Sequence, residues 1–219
     1  LDFDTIRAAI AASGLAWRGA LYPSDGAYGR TIVLVGFAGN AGWPEFAASP
    51  EAGDHQPDPL DRWSRRVITA LAESLGATPL FPFGGPPFLP FQRWAQAAEP
   101  VRPSPLGILI HPDWGLWHSY RGALAFAERL TLPEPDLRPS PCETCAERPC
   151  LTACPVSAFT PAGYDIPACT SHISSPDGVE CMARGCRARA ACPVGTEHAY
   201  RPDRASFHMQ AFRAAMRRA

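Results

Sequence analysis

Cys142, Cys145, Cys150, Cys154, Cys169, Cys181, Cys186 and Cys192 are all the cysteines of the chain, so the first 141 residues carry none and the next 51 carry every one. The first run reads Cys142-x2-Cys145-x4-Cys150-x3-Cys154-Pro155, and the second ends Cys181-x4-Cys186-x5-Cys192-Pro193, with Cys169 between them. Iron is thiophilic, and a cubane takes four thiolates arriving from different directions, which closely spaced loop cysteines plus one remote cysteine supply. Two other chemistries use cysteines at this density. Zinc sites favour paired Cys-x2-Cys knuckles, of which this chain has one, and disulfides need an oxidising compartment. The pattern therefore favours iron–sulfur chemistry over two four-cysteine zinc sites or four disulfides.

Bacterial two-cluster ferredoxins use Cys-x2-Cys-x2-Cys-x3-Cys-Pro, with the fourth cysteine crossing to the other cluster. The first run here is two residues longer, and the second departs further. The crossing rule assigns Cys142, Cys145, Cys150 and Cys192 to one [4Fe-4S] cluster and Cys154, Cys169, Cys181 and Cys186 to the other. Arg184, Arg187 and Arg189 beside the second run are candidates to raise a potential or to dock an acidic donor, the ordinary alternative being a solvated face.

Composition narrows the rest. All 20 basic residues are arginine, and they nearly balance 21 acidic ones for a formal charge of −1. Without lysine there is no Schiff-base nucleophile and no Walker-type phosphate lysine, so aldolase, pyridoxal-phosphate and P-loop chemistries are excluded. A near-neutral chain has no electrostatic footprint for nucleic acid, and no apolar run is long enough to span a bilayer. The expectation is a soluble, cytoplasmic protein with no secretory signal before Leu1. With 25 prolines and 18 glycines in 219 residues, the chain stays below the low-complexity range.

Several elements must position these groups. Asp4 is a candidate cap for a short helix with Ile6 and Ile10 on one face and Gly14 at its end. Thr31–Val35 reads as a strand buried on both faces. Asp58-Pro59 opens a helix in which Leu60, Trp63, Val67, Leu71 and Leu75 share a stripe before Gly76. An apolar piece, 80–83, a Pro/Gly-rich loop, a short helix around Trp94 and a strand at 106–110 follow. The Pro-rich strip 132–141 reads as a linker, dividing the chain into domains 1–139 and 140–219. Asp203 is placed to cap a last helix with Met209, Phe212 and Met216 on one face, and Arg213, Arg217 and Arg218 near its end. The mixture without strict βαβ alternation indicates an α+β fold.

A second constellation lies in His111-Pro-Asp-Trp-Gly-Leu-Trp-His-Ser-Tyr-Arg-Gly122. Its aromatics and glycines suit the close approach of a large flat ligand, and its histidines and arginine suit metal, carboxamide or phosphate groups; a turn with core aromatics is the plainer alternative. Together with Gly39-Asn-Ala-Gly-Trp-Pro-Glu-Phe46, Pro59-Leu-Asp-Arg-Trp-Ser-Arg-Arg-Val67, Leu75-Gly, Phe81-Pro, Pro90-Phe91 and Trp94-Ala, it resembles the cblC-type cobalamin-processing family. The cysteine region, with Cys169-Thr-Ser-His, resembles the two-cluster module of epoxyqueuosine reductases and reductive dehalogenases. The resemblances imply a flavin-reductase/nitroreductase-like α+β domain followed by a bacterial two-cluster ferredoxin-like module with a C-terminal helix.

They also imply a corrinoid, with flavin as the lesser option, held by His111, Trp114, Gly115, Trp117, His118, Tyr120 and Arg121. The expected activity is that of an oxidoreductase passing electrons from two [4Fe-4S] clusters to the cobalt of cobalamin. Reduced ferredoxin, flavodoxin or a flavin reductase would be the donor, and cobalamin-dependent enzymes are the expected recipients. A plain electron carrier docking a partner and a cobalamin-dependent reductase of an organic substrate are the alternatives. No Asp or Glu matches the proton donor of those reductases, so no catalytic residue is assigned.

Overall fold

The structure is a computed structural model, and it describes residues 2–24, 26–160 and 162–217. Helix α1 (Phe3–Ala12) leads into strands β1 (Ala16–Leu21) and β2 (Thr31–Ala38). Two short helices, α2 (Trp43–Ala47) and α3 (Pro50–Gly53), precede the long α4 (Pro59–Leu75), then β3 (Thr78–Leu80) and α5 (Phe91–Ala98). A hairpin of β4 (Arg102–Pro103) and β5 (Leu109–Ile110) comes before β6 (His118–Phe126). Beyond the linker lie α6 (Pro141–Thr144), α7 (Pro149–Thr152), β7 (Phe159–Thr160), β8 (Gly163–Tyr164), α8 (Ile166–Ile173), α9 (Val179–Arg184), α10 (Arg187–Ala190) and α11 (Pro202–Met216).

The fold is α+β, and its contacts divide it into two units. One comprises Leu1–Pro100 with His118–Arg138, the other Val101–Trp117 with Pro139–Ala219. The proline strip does end the first unit, and residues 131–140 carry no helix or strand. The expected division at 139 and 140 is nevertheless corrected at 101–117, which packs with the cysteine region although it lies far upstream. The reason is apolar burial: Leu106, Ile110 and Leu116 form one core with Ala188 and Cys192.

The first unit is built on an antiparallel sheet of order β1-β2-β6-β3. Strand β2 is buried at every position, as its continuous β-branched and apolar run requires. Helix α4 packs on β6, and its stripe centres on Trp63, Ile68 and Ala72 rather than on Val67 and Leu75. Its ends fall as expected, but Asp58 makes no side-chain cap and instead adopts φ 51°, while Gly76 closes the helix at φ 67°. Asp2, not Asp4, caps α1, accepting from the Thr5 amide at 2.8 Å.

Two bulges break the sheet's register, and each lets an arginine leave the pleat. Arg18 and Gly19 of β1 oppose Leu34 alone, and Arg121 of β6 is the extra residue between Tyr120 and Gly122. Arg18 is almost wholly buried and pairs with Glu99 at 2.8 Å. Nine-residue β6 is a strand inside the sheet that the reading of 111–122 as a ligand site did not include. Its signal was the apolar run Gly122–Phe126.

In the second unit, the strand expected over 106–110 shrinks to Leu109–Ile110, because Ser104 to Ile108 form a turn closed by Ser104 N–H to the Ile108 carbonyl at 3.0 Å. Helix α11 begins at Pro202 after Arg201, with Asp203 in its first turn and no side-chain cap. Met209, Phe212 and Met216 are half-buried along it. Arg218 lies outside the described residues.

Candidate metal centre

The cysteine unit gathers its eight thiols around two spaces. Cys142, Cys145, Cys150 and Cys192 line a tight cleft of about 20 Å³ walled by Pro105, Ile110 and Val194. Cys154, Cys169, Cys181 and Cys186 line a cavity of about 480 Å³. These are the two sets of four that the crossing rule assigns. All eight are free thiols, so the disulfide alternative has no counterpart in this structure. Among the described residues no three His, Cys, Asp or Glu side chains converge as a single metal ion would require.

Local structure explains the sorting. Cys150 opens α7 after Pro149, and Cys154 follows its end, so the helix places successive cysteines on different tetrads. Helix α10 does the same between Cys186 and Cys192, and the two helices pack on one another. Four residues of helix rise about 6 Å, which keeps the tetrads close. Upstream, Ser140 caps α6 with a capping box whose other half is Glu143, fixing the backbone that presents Cys142 and Cys145.

The hairpin of 101–117 lines both spaces. Leu106 lines the larger cavity, and Pro105 and Ile110 line the smaller one. Around the larger cavity, Phe159 and Tyr164 stack at 4.8 Å, and Tyr164 lies 6.3 Å from Phe212. Met209 and Phe212 reach the same cavity from α11. Two of the three residues of the expected stripe thus wall a cysteine tetrad.

Burial raises the thiols of Cys142, Cys150, Cys169, Cys181, Cys186 and Cys192 above their ordinary range, and neighbouring thiols of the same tetrad add to it. A lone thiolate is disfavoured at each position. Bound cationic metal offsets this by coordinating the deprotonated sulfur. The donor set, soft thiolates lining two apolar-walled spaces, fits iron–sulfur clusters.

The arginines of the second run divide. Arg184 is exposed and pairs with Glu180. Arg187 lines the larger cavity. Arg189 turns inward, donating to the Leu116 carbonyl and lying between the Trp117 and Tyr200 rings at 4.6 and 4.4 Å.

The seven residues expected to hold a corrin fall in both units, and their neighbours engage them. His111 is buried, and its Nδ1 accepts from the Asp113 and Trp114 amides at 3.0 and 3.3 Å, closing the turn of the His111–Gly115 bridge. Trp114 lies 4.4 Å from His198, and Trp117 takes up Arg189. Gly115 abuts the Val194 backbone. In the sheet unit His118 is buried beside Tyr120, and the Tyr120 hydroxyl donates to Glu99. Burial, then the Glu99 carboxylate, pushes the Tyr120 phenol far up, so it stays a donor. Arg121 pairs with Asp61 and donates to Ser64 Oγ at 2.9 Å. Within its own unit, each of these residues is thus engaged in packing, hydrogen bonding or ion pairing.

No family model, no curated protein and no solved structure matches the chain.

Proposed function

We propose that this chain is an iron–sulfur electron-transfer protein with two [4Fe-4S] clusters, one on Cys142, Cys145, Cys150 and Cys192, the other on Cys154, Cys169, Cys181 and Cys186. The observation that carries the reading is the sorting of eight thiols between two spaces, with α7 lying between Cys154 of one set and the cysteines of the other, and α10 between Cys186 and Cys192. When bound, such clusters supply one-electron storage at two neighbouring positions. The chain's part is to hold the thiolates, exclude water with Leu106, Ile110, Phe159 and Phe212, and keep the two positions a fixed distance apart. This organisation is that of a bacterial two-cluster ferredoxin-like module.

The sheet unit then serves as the docking or acceptor side. Its resemblance to cobalamin-processing proteins makes a corrinoid the first acceptor to be tried, but the proposal assigns it no residue, because the expected ones are otherwise engaged.

Anaerobic purification with iron and sulfide determination is the test. About eight iron and eight sulfide per chain are expected for two cubanes; a colourless protein with two zinc ions overturns the proposal. Titration of the dithionite-reduced protein with hydroxocobalamin then decides the acceptor. Reduction of the cobalt supports a corrinoid, and an unchanged spectrum leaves a carrier for another partner.

A further inference from the structure

Accepting an electron adds negative charge to a cluster, so every hydrogen bond donated to its thiolates favours the reduced form and raises the potential; charge and exposure act in the same sense. Exposure does not separate the two tetrads here. Each has one buried cysteine, Cys192 in one and Cys181 in the other, and three half-buried ones. Nearby charge does not separate them either, since Arg148 acts on Cys142 and Arg187 on Cys181.

Hydrogen bonding does. Around Cys154, Cys169, Cys181 and Cys186, the Ala158 amide donates to Cys154 Sγ at 3.4 Å, the Arg187 amide to Cys181, and the Ala188 and Arg189 amides to Cys186. Two side chains join them. The Tyr164 hydroxyl bonds Cys169, held there by its stack on Phe159, and His172 Nε2 stands 3.8 Å from Cys181 Sγ. The other tetrad receives the Ser140 hydroxyl at Cys142, the Val194 amide at Cys192 and the amide of Cys150 at its own sulfur.

We infer that Tyr164 and His172 make the Cys154/Cys169/Cys181/Cys186 position the higher-potential of the two, so that an electron held by the chain rests there. The other cluster is then the stronger reductant. The inference builds on the two-cluster reading above. Tyr164 and His172 are positioning residues, acting through the sulfurs and not on any substrate.

The test is a redox titration of the anaerobic, full-length, iron-loaded protein, followed by electron paramagnetic resonance. Two one-electron couples are expected. Tyr164→Phe keeps the ring stack and removes the donor, and should lower the upper couple alone. The expected change is about tenfold in the reduced-to-oxidised ratio at fixed poise, equivalent to about 59 mV for one electron. His172→Ala should move that same couple, and Ser140→Ala the lower one. If Tyr164→Phe and His172→Ala leave the upper couple in place, or shift the lower, the assignment is wrong even with about eight iron bound. Zinc in place of iron overturns this inference together with the two-cluster reading.

Discussion

Gly115 and Val194 interlock. The Gly115 backbone, at φ 53°, lies so close to Val194 that a Cβ at 115 would overlap its carbonyl oxygen, and Gly195, at φ 66°, presses back against the Trp114 backbone. This contact seats the 101–117 hairpin on the loop that follows Cys192. A glycine read as part of a ligand surface is thus the fitting point between an upstream hairpin and a cysteine tetrad.

Gly115→Ala meets both a backbone overlap and a left-handed conformation that side chains resist. It should destabilise the chain by at least about 2 kcal/mol and lower the iron retained after anaerobic gel filtration. Urea unfolding and iron analysis measure the two effects. Wild-type values for both would show that the hairpin does not support the cysteine region.

Cys150 and Cys154 are separated by one turn of α7 yet face different tetrads. Cys150→Ser and Cys192→Ser should therefore abolish one and the same paramagnetic signal, while Cys154→Ser and Cys186→Ser abolish the other. Each variant should retain about four of the eight irons. Pairing by sequence neighbourhood, with Cys150 and Cys154 removing one signal together, would contradict the crossing.

Arg121 ties the bulge of β6 to α4 through Asp61 and Ser64. Truncation to alanine leaves both partners without their cation and should cost about 1–3 kcal/mol in urea unfolding, with iron and sulfide content unchanged. Arg121→Lys should recover only part of the loss, because an ammonium cannot reproduce the forked contact.

The Arg66 guanidinium beside Glu51 holds that carboxyl down at about 2, below its ordinary 4.5. The native carboxylate is thus favoured over the unfolded one, so the pair's contribution is fully present above about pH 4.5 and is lost as pH falls toward 2. Arg66 is more than half exposed, and water screens the pair, so the contribution is about 1 kcal/mol. Urea unfolding of wild type and Arg66→Ala should differ by this amount at pH 7 and converge at pH 2–3.

The division of the cysteines between two spaces was legible in the chain because their spacing constrains local backbone: Pro149 and Pro155 bracket a short helix that sets Cys150 and Cys154 apart. Strand β2 and helix α4 were legible for a similar reason, since their apolar patterns are local and their ends carry proline or glycine. Capping was less so. Asp2, Asp4, Asp58 and Asp203 all had suitable chemistry, and of these only Asp2 caps its helix, because which carboxylate reaches an amide depends on backbone dihedrals that neighbouring contacts decide.

What the sequence determined alone is eight cysteines confined to 142–192, the absence of lysine and so of lysine-based catalysis, and an α+β chain with a proline-rich break near 139. Tertiary structure decided where the other residues go. It drew Leu106, Ile110 and Leu116 across the chain into the cysteine unit, made 118–126 a central strand, and committed His111, Tyr120 and Arg121 to turns and ion pairs. Those outcomes follow from burial of apolar surface and pairing of buried charge between segments distant in sequence, a competition that no local spacing encodes.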